Sequence, residues 1–388
     1  MARYLNSRSE DSGTLRRFRA PLVWTSTVAT VALIAFLCVL SSAGTALGAS
    51  FVSLRGPATT SEASAEPGAS GSTTAVAVLS SCTVGAAWSD AYDPADGYVY
   101  VANFVNGTIS IVKPPCTVVE TLASGAISTP YGTIYDPQTK EVVVTSPGAG
   151  LAYVLQGTSV VKKVGLGGSG HCPTLGDWDS GLGAMLIADE CSPGHSGGGG
   201  IDVLHLTLVA GVTHASVVLD AFDRTNAPNA VLAADGYIFS AGLTVDVFRG
   251  STFAFVGKYA VHGSSDNSLA WDPLNGTVVL GKGDESIGYD SVIFLDTARI
   301  GSGRFTFSHM ATHDILRYGV GGVAYSPTTE NVYFTAYLGV DVWELSASGT
   351  LSHVYLGPHA FPELLAYDPS SGDMYVCGTG SSTLYLIQ

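Results

Sequence analysis

The sequence predicts an all-β fold: a seven-bladed β-propeller of four-stranded antiparallel blades, preceded by one N-terminal hydrophobic helix. Three observations predict it. A unit of about 46 residues recurs seven times, near the length of a four-stranded blade. The composition suits short strands joined by tight turns. The chain stops after the third strand of its last repeat, so a strand from the other end is needed to complete that blade.

The composition also excludes several classes. Charged residues make up 13% of the 388, and mean hydropathy is +0.31. A disordered, charge-rich chain is therefore excluded. The 47 glycines without a G-X-Y period exclude collagen, and with 18 tyrosines and only 4 methionines they argue against a helical bundle. The formal net charge of −15 disfavours nucleic acid as a partner.

Residues 1–21 form a basic segment, with Arg3, Arg8, Arg16, Arg17 and Arg19 against Glu10 and Asp11. Residues 22–40 carry no charge and are just long enough to span a bilayer as a helix. Basic residues ahead of the span keep the N-terminus in the cytoplasm and send the rest outward. Ala46, Gly48 and Ala49 then offer small residues suited to signal cleavage. A cleaved signal peptide and a retained signal-anchor both remain open, so the membrane is a partner only if 22–40 stays attached. Residues 41–74 are rich in Ser, Ala, Thr, Gly and Pro and read as a flexible stalk. The expected location is the cell surface or the extracellular space.

Residues 75–388 hold the repeat. Its probe is Tyr92-Asp93-Pro94, a turn, and then Tyr98-Val99-Tyr100-Val101. The position of Asp93 recurs at 136, 179, 232, 272, 326 and 368. Tyr or Trp precedes it in six of the seven copies and offers an apolar face for packing between sheets. Asp bonds the backbone ahead of it and Pro fixes φ, which makes a tight turn. Glycine often closes that turn, as at 97, 183, 236, 276 and 372. A third strand is expected at 108–112, 245–248, 340–343 and 384–387, and a fourth at 117–122 and 253–256. Residues 74–79 are expected to pair with the last repeat, joining the N- and C-terminal strands and removing an exposed edge.

Gly97-Tyr98-Val99-Tyr100-Val101-Ala102-Asn103 and Pro130-Tyr131-Gly132-Thr133-Ile134-Tyr135-Asp136-Pro137 resemble the YVTN family of β-propeller repeats. The resemblance covers about residues 75–388. It implies the propeller fold and a surface or secreted protein, and it implies no particular activity. Asp-Pro is lost in the third and fourth repeats and becomes Ser326-Pro327 in the sixth. Trp178-Asp179 lacks the His of a WD repeat.

Loops before the first strand of each blade, and between its second and third, open on one face. Ligand candidates at that channel mouth are Asp90, His171, Asp177, His262, Asp266, His313, His359 and Glu363. A ring of His and carboxylate side chains could hold a divalent cation or perform acid–base chemistry. Polar loops with nine histidines in the chain also explain them. In the third repeat, His171, Cys172, Cys191 and His195 suggest either a metal site or a Cys172–Cys191 disulfide, and export favours the disulfide. Cys82, Cys116 and Cys377 are odd in number; a Cys82–Cys116 bridge is one pairing, and Cys377 reads as a core thiol. Asn106 and Asn275 fit the glycosylation acceptor pattern and also form ordinary Asn-Gly turns.

No nucleophile elbow, phosphate loop, HExxH or EF-hand loop occurs. No cofactor is expected. The function expected is therefore a cell-surface binding or interaction scaffold with a surface protein or glycan as ligand. The rival is a secreted metal-dependent lyase or hydrolase, acting on a lactone or glycan at the channel mouth. Its signature is three or more channel-facing ligands converging on one point. A passive surface-coat component is a third reading.

Overall fold

The computed structural model describes residues 76–122, 127–168, 170–191, 199–219, 227–260, 266–283, 292–302, 306–310 and 319–388. The expected basic segment, hydrophobic helix and stalk lie outside the described residues. Among the described residues no helix is long and apolar enough to cross a membrane.

The chain forms a seven-bladed propeller of four-stranded antiparallel sheets. A first strand, β1 (Val78–Thr83), precedes the first blade, which consists of β2 (Ala87–Asp93), β3 (Tyr98–Asn103), β4 (Thr108–Lys113) and β5 (Thr117–Leu122). Blade two is β6 (Thr133–Asp136), β7 (Glu141–Ser146), β8 (Leu151–Gln156) and β9 (Ser159–Gly165). Blade three is β10 (Pro173–Asp179), β11 (Ala184–Asp189), β12 (Gly200–Val209) and β13 (Val212–Val218). Blade four is β14 (Ala230–Ala234), β15 (Tyr237–Ala241), β16 (Thr244–Arg249) and β17 (Phe255–Ala260). Blade five is β18 (Asp266–Asp272), β19 (Thr277–Gly283), β20 (Val292–Asp296) and β21 (Thr306–Met310), with a short 3-10 turn at Thr297–Ser302. Blade six is β22 (Val320–Ser326), β23 (Asn331–Ala336), β24 (Asp341–Leu345) and β25 (Leu351–Tyr355). The seventh sheet runs β1-β28-β27-β26, from β26 (Pro362–Tyr367), β27 (Met374–Gly378), β28 (Thr383–Ile387) and β1. Here Cys82 lies opposite Leu384 and Val78 opposite Ile387. The N-terminal strand thus starts four residues beyond the expected 74–79.

Local chemistry makes the first turn of each blade. The Asp93 carboxylate accepts the Ala95 N–H at 2.7 Å, Asp136 that of Gln138 at 2.8 Å, and Asp179 that of Gly181 at 2.7 Å. Asp272 and Asp368 do the same with Leu274 and Ser370. The fifth residue then bonds back to the first carbonyl at 2.8 Å, as in Gly97 to Asp93 and Gly372 to Asp368. That fifth residue has positive φ, which glycine adopts without strain. Blade four departs for a physical reason. Asp235 and Gly236 have φ of 50° and 75°, the two left-handed residues of a two-residue hairpin, so its turn is shorter than the others. In the same blade the fourth strand starts at Phe255 rather than 253, because Phe253 sits in a turn with φ of 55°.

The core lies between blades. Seven apolar clusters occur among the described residues, one for each neighbouring pair. Ile109 and Ile111 of blade one meet Val142 and Leu155 of blade two, and Val99 and Val101 meet Tyr375 and Leu386 of the seventh sheet. The aromatic residues before each turn pack against these clusters: Tyr92, Tyr135, Trp178, Trp271, Tyr325 and Tyr367. The inner strands β2, β6, β10, β14, β18, β22 and β26 touch in ring order around a central channel. Threonine hydroxyls tie three of the inner strands, β10, β26 and β2, to the blade before each. Thr145 Oγ1 donates to the Thr174 carbonyl at 2.8 Å, Thr335 Oγ1 to that of Glu363 at 2.7 Å, and Thr379 Oγ1 to that of Ala87 at 2.7 Å.

Candidate functional site at the channel mouth

Inner strands all begin at one end of the channel, so the side chains at their starts share its mouth. Trp88, Tyr131, Leu175, Asn229, Gly321, Tyr337, Glu363 and Leu364 are among those that line a depression there. They come from six of the seven blades. Trp88 is the second residue of β2, and Tyr131 lies just before β6. Phe104, in the turn after β3, completes an aromatic group. Trp88 is 5.2 Å from Tyr131 and 5.6 Å from Phe104 between ring centroids, and Phe104 meets Tyr131 edge-on at 5.6 Å. All three are half-buried. Gly132 allows Tyr131 this position, because a Cβ there would lie 2.4 Å from the Thr174 carbonyl. Two polar residues stand beside the aromatics, Glu363 (6% exposed) and Asn229 (3%).

Of the candidates read from sequence, Glu363 lies at the mouth. Asp177 is half-buried on β10 and accepts the Ala233 N–H of β14 at 2.9 Å, bridging blades three and four. Asp90 is buried beside the Cys377 thiol, where the first and seventh sheets meet. Burial pushes its carboxyl well above the ordinary range, and the neighbouring Cys377 thiol acts the other way. His359 is exposed, has φ of 60°, and meets Phe361 edge-on. His171 is turned into blade three, where Nδ1 contacts Asp189. The expected convergence of His171 and His359 on the mouth is therefore not found. His262 and His313 lie outside the described residues, as does the side chain of Asp266, whose backbone opens β18. So does His195.

The cysteines resolve into two disulfides. Cys172 is bonded to Cys191, and Cys82 to Cys116. A metal site using Cys172 and Cys191 is thereby excluded in the oxidised protein. Cys377 is free and buried, and burial raises its thiol pKa far above the usual value. Asn106 and Asn275 are exposed in turns. Asn106 Oδ1 accepts the Ala86 N–H, and Asn275 Nδ2 donates to Asp272 at 2.8 Å.

No protein-family model matches the sequence, and no curated protein does. Solved structures do match in shape. The β-propeller domain of Cps50 (Swd1) from Myceliophteria thermophila aligns with a TM-score of 0.60 at 11% identity, covering 80% of this chain and 99% of that one. A streptogramin B lyase aligns at 0.60 and 12%, covering 81% and 97%. Virginiamycin B lyase from Staphylococcus aureus aligns at 0.61 and 11%, covering 81% and 99%. The likeness is one of fold.

The mouth aromatics escaped the sequence reading because the repeat pattern was aligned on the turn at the other end of each inner strand. A local signal did exist: Trp88 and Tyr131 are large aromatics at or just before the start of an inner strand, outside the repeated Tyr/Trp position.

Asp177 makes a test of the channel wall. Burial, partly offset by the Ala233 and Trp178 amides, raises its pKa from 3.8 to about 6. A raised carboxyl contributes stability that is complete below the unfolded pKa and is lost as pH rises through the folded one. Wild-type protein is therefore expected to melt higher at pH 5 than at pH 7. Asp177→Asn keeps an acceptor for Ala233 and is expected to gain about 1 kcal/mol at pH 7, allowing for partial exposure. Thermal melts of both proteins across pH 4–7.5 measure this; an unchanged pH slope in the variant would contradict it.

Proposed function

We propose that this protein is an exported or membrane-anchored cell-surface propeller of the YVTN-repeat kind, a binding scaffold that takes a glycan at the channel mouth. One observation carries the binding site: Trp88, Phe104 and Tyr131 gather at the mouth next to Glu363 and Asn229. Ligand sites combine apolar and aromatic walls with a few fixed polar groups. A sugar ring matches that arrangement, since it offers a C–H face to aromatic rings and hydroxyls to a carboxylate and an amide. Export is supported by the basic and apolar N-terminal sequence and by two disulfides, which persist in oxidising compartments. Pairing of the terminal strands in the seventh sheet supports a sealed ring that presents its loops rigidly.

The test is binding of the oxidised full chain to an array of soluble oligosaccharides, beside Trp88→Ala. Trp88 is a central aromatic, so its loss is expected to weaken the best glycan by about 30- to 100-fold, the effect of removing 2 kcal/mol or more. Unchanged melting of the variant separates lost contact from lost fold. Equal binding by both proteins would reject the mouth. Recovery of the glycan cleaved rather than intact would replace the scaffold by the lyase or hydrolase.

A further inference from the structure

The outer hairpin of blade three departs from those of the other six sheets. In each of the others the third strand ends level with the start of the second, or within one residue of it. Arg249 lies opposite Tyr237, Asp296 opposite Thr277 and Ile387 opposite Met374. In blade three β11 starts at Ala184, beside His205, and β12 runs on through Leu206–Val209 with β13 alone for a partner. Four extra residues make about 14 Å of strand.

The base of this overhang is braced by blade two. Leu206 is 2% exposed and belongs to the apolar cluster between blades two and three. Thr213 Oγ1 donates to Glu141, and Lys162 Nζ donates to the Thr213 carbonyl at 3.1 Å. The tip is bare. Leu208 is 44% exposed, Val209 and Val212 are each 58% exposed, and Ala210 and Gly211 between them are exposed too. No Asp, Glu, Lys or Arg occurs from Val203 to Val218. The turn itself is Ala210-Gly211, with φ of 51° and 78°. Such a two-residue turn favours Asn, Asp or Gly at its first place. Alanine there carries left-handed strain that a polar residue would relieve, and it keeps the tip apolar.

The position of the tip selects what it meets. The β12–β13 turn lies at the same end of the ring as the β10–β11 turn, with His205 Nδ1 3.3 Å from the Gly183 carbonyl. That end is opposite the aromatic mouth. The chain also enters the propeller there. Val78 lies opposite Ile387, at the end of β28, and the Ala77 N–H bonds the Gln388 carbonyl at 3.0 Å. The apolar residues 22–40 therefore lead, through the stalk read from sequence, to the end that carries the tip. Such a tether raises the concentration of that end near any bilayer that 22–40 spans. Five small residues offer far less surface than the about 800 Å² per partner of a stable protein interface, so a second copy or a folded partner would gain little. A bilayer needs no matching surface and rewards each apolar group that leaves water. The formal net charge of −15 keeps acidic surface away from lipid phosphates, whereas the tip carries no charge.

We propose that the Leu208–Val212 tip inserts into a lipid bilayer surface and holds the propeller with its aromatic mouth facing outward. This rests on the cell-surface reading above.

The test uses the full chain with its disulfides formed, in vesicles of phosphatidylcholine. Val209→Trp adds one tryptophan to the five of the chain, and subtracting the wild-type signal reads it alone. Phosphatidylcholine brominated on its acyl chains quenches a tryptophan that has entered the bilayer. The expected result is a blue-shifted, quenched emission for Val209→Trp. Ser159→Trp, an exposed place on the blade-two hairpin at the same end, should show neither. Adding Leu208→Asp and Val212→Asp to Val209→Trp should abolish the quenching with no loss of melting temperature, since both places are exposed. Should the aspartates disturb the hairpin, Val209→Trp against Ser159→Trp decides. A chain that floats with the vesicles but leaves Val209→Trp unquenched overturns the insertion and gives the tip to a protein partner, while the cell-surface reading stands. A chain that does not float overturns both.

Discussion

Replacing Cys82 and Cys116 together by alanine is expected to lower the stability of the protein by about 4 kcal/mol. The two residues are 34 apart in sequence, and closing a loop of that length in the unfolded chain accounts for a loss of this size. The position of the bond makes it matter. Cys82 lies on β1, the outer strand of the seventh sheet, and Cys116 in the turn between β4 and β5 of blade one. Apart from its ladder with β28, β1 buries little: Val78 and Leu79 are 39% and 49% exposed. With the bond gone, amides of β1 and β28 should exchange far faster than those of the inner strands. The Cys172–Cys191 bond closes only 19 residues inside one blade, and its removal is expected to cost about 3 kcal/mol. Denaturant unfolding of the two double variants under non-reducing conditions measures both. A loss under 1 kcal/mol for the first pair would show the bond to be idle.

Thr335→Val is expected to cost about 2–3 kcal/mol, although valine has the same shape and favours strands. Thr335 is fully buried on β23. Its hydroxyl accepts the Gly322 N–H and donates to the Glu363 carbonyl, both at 2.7 Å. The register between β22 and β23 shifts at this place, between Val320 and Val323. The hydroxyl therefore replaces a ladder bond that the strands do not make. Valine removes it from a buried site, where a lost partner costs about 1–3 kcal/mol. Gly321 and Glu363 line the mouth, so the glycan binding proposed above should weaken as well. Thr335→Ser restores the hydroxyl and should recover most of both losses. Equal destabilisation by serine and valine would assign the effect to the methyl group instead. Thr145 makes the same bridge from Gly132 to Thr174, and Thr145→Val should behave alike.

The turn chemistry was legible because it is local. Asp93, Asp136, Asp179, Asp272 and Asp368 each bond an amide two residues ahead, and a contact that short is written in consecutive residues. The same holds for the Tyr or Trp before each turn. Where local signals compete, boundaries moved. Asp235-Gly236 could close a two-residue hairpin and did, which erased the Asp-Pro pattern of blade four. Phe253 looked like strand and lies in a left-handed turn.

Side-chain direction was the harder quantity. Asp90 sits on an inner strand, as expected, yet it points at Cys377 in the neighbouring sheet. His171 lies in a mouth loop, yet its ring turns into blade three to meet Asp189. Each blade packs one face on the blade before it and the other on the blade after it, and a register change of one residue moves a side chain from one interface to the other. Bulges occur near the start of β2, β10, β22 and β26, where the mouth residues are.

The sequence by itself determined the number of blades, the four-strand unit, the Asp turn after the first strand of five blades and the cysteine pair Cys172 and Cys191. These depend on contacts within one repeat, so a single repeat carries the information seven times. Only the tertiary structure decided which side chains share a surface. The mouth draws on residues as distant as Trp88 and Leu364, and the His171–Asp189 contact joins a loop to the end of β11. Their meeting depends on how the blades are arrayed around the channel and on where bulges turn each inner strand, and neither is written in the spacing of residues along the chain.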